Sequence, residues 1–180
     1  MSSAVTVART WKLDPPHSSA TFSVHYIVGR YRAGFASFDA TLDLSGAEPR
    51  LEGSVDVTSL TIGLDVFKQH MLGEEFFQAD KHPEIHFAST SFRQDGEQVE
   101  VVGDLTIRGV TKTVTAKGVM SEPIETLYTG PSIGLQLQAE VSRRDFGIDS
   151  WNPELPGGGL ALADRLTLDV DLAFLVADQG

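Results

Sequence analysis

The 180-residue chain contains no cysteine. That absence excludes disulfides, thiolate chemistry and cysteine-ligated zinc or iron centres, and it leaves the redox compartment open. Cations are scarce, with 14 Lys and Arg against 25 Asp and Glu, a formal net charge of -11. Such a surface repels phosphate backbones, and the Arg143-Arg144 pair is too small a patch to reverse it, so nucleic acid is not an expected partner. Long apolar runs are missing as well. The best, Leu172 to Ala177, falls far short of the roughly 18 residues that a spanning helix needs, so no integral membrane segment is expected. At the N-terminus, MSSAVTVARTWKLD shows no basic segment followed by a sustained apolar one, because Val5, Val7 and Ala8 are interrupted by Thr6 and closed by Arg9. The expected location is the cytoplasm.

What the chain does contain is period-two alternation. With 41% apolar and 22% charged residues it has the composition of one soluble globular domain, and no repeat or linker divides it. Ala20, Phe22, Val24, Tyr26 and Val28 alternate with polar residues, as do Gly34, Ala36, Phe38, Ala40, Leu42 and Leu44. The same holds for Val99, Val101, Leu105 and Ile107, for Leu135, Leu137 and Ala139, and for Leu166, Leu168, Val170, Leu172 and Phe174. Strands with one solvated face form antiparallel sheets, and short turns carrying Gly, Pro or Asp join them. The expected fold is all-β, an antiparallel barrel of about eight strands, wide enough to be filled by side chains or to hold one small ligand. One helical stretch breaks the pattern, Val66 to Leu72, with Val66, Phe67, His70 and Met71 on one face and Gly73 as a left-handed cap. It is placed as a lid over one mouth. Trp151 to Gly159, with two prolines and three glycines, reads as a loop.

The residue types that carry chemistry are weighed against plainer roles. His70, His82 and His86 are close in sequence, but extended backbone would separate the Cα atoms of 82 and 86 by about 13 Å, too far for both rings to share one ion at a bond length near 2 Å. No metal site is assigned. Gly130-Pro131-Ser132-Ile133-Gly134 has the spacing of a hydrolase nucleophile elbow, yet the alternating sequence after it is a strand where that motif needs a helix. No catalytic residue is assigned, and no cofactor. Phe76 and Phe77 point to opposite sides if extended, as anchors of the lid, as wall of an interior site, or as one of each. Phe146 is read as a plug at one end and Gly147 as a bend. Small residues in the inward row, among them Ala20, Gly34, Ala36, Ala40, Gly53, Gly103 and Ala139, leave space for a cavity, against the ordinary expectation of a filled interior.

Several segments resemble, in order, the signatures of the YceI-like family. Asp14 and His17-Ser18 lead into TFSVHYIVG. Lys68, His70, Leu72, Glu75, Phe76 and Phe77 are followed by His82, Pro83, Ile85, Phe87 and Ser89, with His82 standing where the family has another aromatic. Gly103 to Lys112 is similar to its Gly-x-Leu-Thr-x-x-Gly-Val-Thr-Lys hairpin, and Arg143 to Gly147 to its Arg-x-Asp-Phe-Gly. The resemblance places a lipocalin-like barrel domain over residues 11–177 after an extension over 1–10. It implies a bacterial protein that binds a long amphiphilic lipid, a polyisoprenoid or isoprenoid quinone, for carriage, storage or sequestration, and not an enzyme. An enzyme acting on an isoprenoid or small apolar substrate is the alternative, and a barrel with a filled interior is a third. The expected ligand-binding residues are Phe22, Val24, Tyr26, Ala36, Phe38, Ala40, Leu42, Phe76, Phe77, Leu105, Leu135, Leu137, Val170 and Trp151. Tyr31, Lys68, His70 and Asp80 are the candidates for a head group at the mouth. A second copy of the chain is the one macromolecular partner considered, as a homodimer.

Overall fold

The alternation becomes a single antiparallel sheet that closes on itself. The computed structural model describes residues 9–177, so most of the extension expected over 1–10 lies outside the described residues. In chain order the strands are β1 (Thr10–Leu13), β2 (Ser19–Tyr26), β3 (Gly29–Phe35), β4 (Phe38–Asp43), β5 (Arg50–Asp56), β6 (Leu60–Thr61), β7 (Glu84–Asp95), β8 (Gln98–Ile107), β9 (Val110–Met120), β10 (Ile124–Thr126), β11 (Gly130–Ser142) and β12 (Leu162–Val176). Helix α1 (Asp65–Leu72) lies between β6 and β7. Pairing runs β11-β9-β8-β7-β5-β4-β1-β12, and β12 pairs again with β11, which closes an eight-stranded barrel.

Two of the barrel's staves are broken strands. β1 and β2 both pair with β12, the first at Leu13↔Phe174 and the second at Ser19↔Asp171. Between them Pro15 and Pro16, lacking the N–H that a ladder needs, form a short 3-10 turn. β3 and β4 continue one another in the same way, against β2 and β1. Here the break at Ala36-Ser37 shifts the side-chain parity by one. Inward residues are Ala33 and Phe35 before the break and Phe38, Ala40 and Leu42 after it. The unbroken inward row expected from Gly34 to Leu44 is therefore wrong at its start. Ala36 is exposed at a bend, its N–H donating to the Ser59 carbonyl at 3.0 Å, and the outer face of Gly34 lies against Thr61 and the Ala20 carbonyl.

The ends of the barrel are packed differently. At the floor, Trp11, Leu42, Val101, Ile133, Leu135 and Phe174 form one buried cluster, and the Trp11 indole N–H is buried without an acceptor. At the other end β6 pairs only with β3, and α1 with the turns after it occupies the space before β7 begins. Helix α1 ends at Gly73, whose φ of -78° is extended and not left-handed as expected; its N–H caps the His70 carbonyl. No residue of α1 is fully buried, but Met71 and Leu72 at its C-terminal end are half-buried against the lid-end cluster, so the helix lies on the mouth attached by one end.

Close approach of strands sets one strict requirement. A Cβ at Gly118 on β9 would overlap the Gln136 carbonyl on β11, and no rotamer change relieves a clash with backbone. Gly118→Ala is expected to lower stability by about 1–3 kcal/mol, read as a lower urea midpoint. An unchanged midpoint would contradict the strand spacing described here.

Candidate functional site

Between the packed floor and the lid, the barrel holds a partly open cavity of about 190 Å³. Its wall is apolar. Ala20 and Phe22 of β2, Phe38 and Ala40 of β4, Leu105 and Ile107 of β8, Leu137 and Ala139 of β11, and Leu168, Val170 and Leu172 of β12 contribute to it. Inward residues such as Ile85, Phe87, Leu166 and Val170 are only half-buried, as expected for side chains that face an internal space on one side. The three groups whose titration is displaced stand outside this wall. Burial pushes the Tyr31 phenol up, hydrogen bonds from Ser45 hold Asp43 down, and desolvation lowers Arg143.

Between cavity and lid sit three phenylalanines, Phe22, Phe35 and Phe77, with ring centroids 5.9 to 6.2 Å apart. Phe77 reaches in from the lid, while its neighbour Phe76 turns the other way to join Trp151 at 5.8 Å and His70 at 5.1 Å. Trp151 also stacks on Tyr26 at 6.3 Å and meets His70 at 5.5 Å. The His70 Nε2 lies 2.8 Å from the Glu75 carboxylate. One aromatic knot thus ties α1, the Phe76-Phe77 turn, the tip of β2 and the loop after β11. Arg108, at the tip of the β8–β9 hairpin, adds a staple by donating to the carbonyls of Glu74, at 2.8 Å, and Gly147. Arg108 and Gly109 both have positive φ, 52° and 73°, the backbone of a type I′ turn. Gly109 has no Cβ because the His82 ring occupies that place, 2.8 Å from where one would stand.

The loop from 143 to 161 hangs on a buried arginine. Arg143, 2% exposed, donates to the carbonyls of Ala163 and Ile148 and to Asn152 Oδ1 at 2.8 to 3.1 Å. Gly147 follows in the left-handed region at φ 74°, and Phe146 is buried beside it.

The expected site residues divide by depth. Phe22, Phe38, Ala40, Phe77, Leu105, Leu137 and Val170 line the cavity. Leu42 and Leu135 lie beyond it in the packed floor, and Val24 is buried beneath the lid without reaching the cavity. Tyr26, Phe76 and Trp151 belong to the knot above it, and Ala36 is on the outside. Of the head-group candidates, His70 is in the knot, Tyr31 contacts Phe67 at 6.3 Å, Lys68 lies on α1 and Asp80 is exposed on the following turn. His86 faces outward 3.0 Å from Glu84, and no cluster of three metal-binding side chains occurs among the described residues. Ser132 lies within β11, its hydroxyl donating to the Phe174 carbonyl.

Phe35, Ile85, Phe87 and Val114 line the cavity but were not among the expected residues. Phe35 was hidden by the parity shift at Ala36. Alternation of Ile85 and Phe87 was readable in EIHFAS, before a bulge between Ser89 and Ser91 ends the register. Gly103, counted as space, is covered by the Phe87 ring, 2.5 Å from where a Cβ would stand.

Removing the Arg143 side chain takes the donor from the buried Ile148 carbonyl and the half-buried Ala163 carbonyl, while Asn152 Oδ1 keeps Arg144 Nη2 at 3.2 Å. The cost is about 1–3 kcal/mol for each buried group left without a donor. Arg143→Ala is expected to lower stability by at least about 2 kcal/mol and to expose Trp151, so that its emission shifts to the red and iodide quenches it. Trp11, wholly buried, supplies the unshifted background. Unchanged quenching would show that the loop does not depend on Arg143.

A model of the YceI-like domain matches residues 11–174. Protein YceI of Shigella flexneri is 28% identical over 149 residues, covering 79% of this chain and 78% of that protein. Among solved structures, BcnA of Burkholderia cenocepacia superposes with a TM-score of 0.76 at 19% identity, covering 89% of this chain and 98% of that one. A polyisoprenoid binding domain of Saccharophagus degradans superposes at 0.64 with 14% identity, covering 93% and 98%. These structures show the likeness only at the level of fold; the family model carries the assignment. The chain is a member of the YceI-like family.

Proposed function

We propose that the barrel binds one long amphiphilic lipid, a polyisoprenoid or isoprenoid quinone, with its chain in the cavity and its head group at the mouth, and carries, stores or sequesters it unchanged. The observation that carries this reading is the partly open apolar cavity between a packed floor and an aromatic lid. A wall without inward charge gives a solvated polar substrate nothing to replace its water. Each methylene withdrawn from water contributes about 0.8 kcal/mol before ordering costs. The polyisoprenoid binding of the Saccharophagus domain accords with the same use of the fold.

Size adds a mechanical condition. The cavity, about 190 Å³, exceeds the roughly 150 Å³ apolar void that accepts benzene and falls below the roughly 300–1,000 Å³ of pockets that bury drug-sized ligands. A long chain therefore enters by turning the Phe22, Phe35 and Phe77 rings aside, and release waits on the same rings. Tyr31, kept protonated by burial, and His70 offer hydrogen bonds to the head group.

The test uses delipidated protein and a fluorescent prenyl tracer. The parent is expected to take up the tracer saturably. Ala40→Trp, which adds bulk inside the cavity, is expected to abolish uptake in a folded protein, whereas Ala36→Trp, on the outer bend, is expected to leave it unchanged. Equal uptake by Ala40→Trp and parent, or no saturable uptake by the parent, would overturn the reading.

A further inference from the structure

The two-residue turn between β2 and β3 places Ile27 and Val28 beyond the paired residues Tyr26 and Gly29. Val28, expected to continue the apolar row of β2, lies instead in this turn and is 93% exposed. Ile27 is exposed too and holds a φ of 55°, a left-handed conformation that glycine adopts freely and a β-branched residue adopts only under strain. An apolar side chain thus stands in water at a position where local backbone preference favours having none. Strain of this kind is maintained where the side chain has a use.

More apolar side chains stand round the same mouth. Leu64 just before α1, Val66 and Phe67 of α1 and Leu160 of the long loop are all exposed. Contacts fix their nearness. Phe67 meets Tyr31 of β3, the Ile27 N–H donates to the Ala161 carbonyl at 2.8 Å, and Tyr26 stacks on Trp151. Apolar tips converging from three segments are more than the scattered exposure of an ordinary surface.

Charge tells what they face. In a chain with 25 acids, residues 15–38 contain none, and this stretch carries His25, Arg30 and Arg32 beside the apolar turn. Asp65, Glu74, Glu75, Asp80, Asp149 and Glu154 lie at the same end, Glu75 engaged by His70, and Glu140 and Asp169 line the outer groove that holds Arg30 and Arg32. At the opposite end the β10–β11 hairpin exposes Leu127 and Tyr128 just as fully, yet it is flanked by Glu122 and Glu125 with no basic residue. Of these two exposed hairpins, the one at the lid end joins apolar tips to arginines in its flanking sequence.

We propose that the lid end docks on the surface of a phospholipid bilayer. Ile27 and Val28 enter the boundary of the acyl chains, Arg30 and Arg32 reach lipid phosphates, and the Tyr26 and Trp151 rings lie at the interfacial level that such rings favour. The mouth then opens against lipid. Docking stands independently of cargo; only its use for loading rests on the lipid-binding reading above.

Flotation of the delipidated full chain with phosphatidylcholine vesicles, no cargo present, tests it. The parent is expected to float with the vesicles. Val28→Glu is expected to lower the bound fraction at least about tenfold, the loss of one buried apolar side chain. Ile27→Gly is expected to lower it while thermal stability is kept or raised, because glycine relieves the strained turn. Leu127→Glu at the far end is expected to float as the parent does. A parent that stays in solution, a Val28→Glu that floats undiminished, or a Leu127→Glu that is lost from the vesicles would each overturn the proposal. Tracer uptake in solution by Val28→Glu is expected to match the parent, which separates loss of docking from loss of the cavity.

Discussion

Everything in this molecule depends on the ladder that joins β11 to β12. It runs unbroken from Ser132↔Leu175 to Ser142↔Arg165, and it turns a sheet with two edges into a tube. Closure satisfies the backbone groups that edges would expose and fixes which side chains share the interior. The same long β12 also carries β1 at one end and β2 along the rest, so the floor and the lid end are registered against one strand. With that frame set, aliphatic and aromatic side chains fill the floor, and the middle stays open because the staves hold its walls apart.

The lid end follows another logic. Its ladder is incomplete between β6 and β7, and the segments there are held by a few connections: the Trp151 knot, the Arg108 staple and the buried Arg143. Helix α1 fully buries none of its residues. Parts joined by so few contacts open at lower cost than a core does, which suits the proposed entry of a chain past three phenylalanine rings.

Much of the barrel was legible in the sequence because period two is a direct consequence of strand geometry. The final strand and β11 read correctly along most of their length. Where the reading failed, the cause was a local shift invisible to pattern. The series through Gly34, Ala36 and Phe38 alternates smoothly on paper, yet the bend at Ala36-Ser37 moves Phe35 inside and Ala36 out. Small residues were an equally poor guide to space, since Gly103 is covered by Phe87 and Gly118 by a neighbouring carbonyl. Depth along the tube was not legible either. Leu42 and Leu135 share the inward parity of Ala40 and Leu137 but lie in the packed floor. The roles of Arg143 and Arg108 arise from carbonyls distant in sequence, which no spacing records.

The most direct measurement is native mass spectrometry of protein purified without detergent, followed by organic extraction and identification of what is released. An added mass that resolves into a prenyl lipid, one per chain and lost after extraction, is the predicted result. A bare chain mass that stays unchanged after incubation with prenyl lipids would contradict the central claim that the cavity exists to hold one.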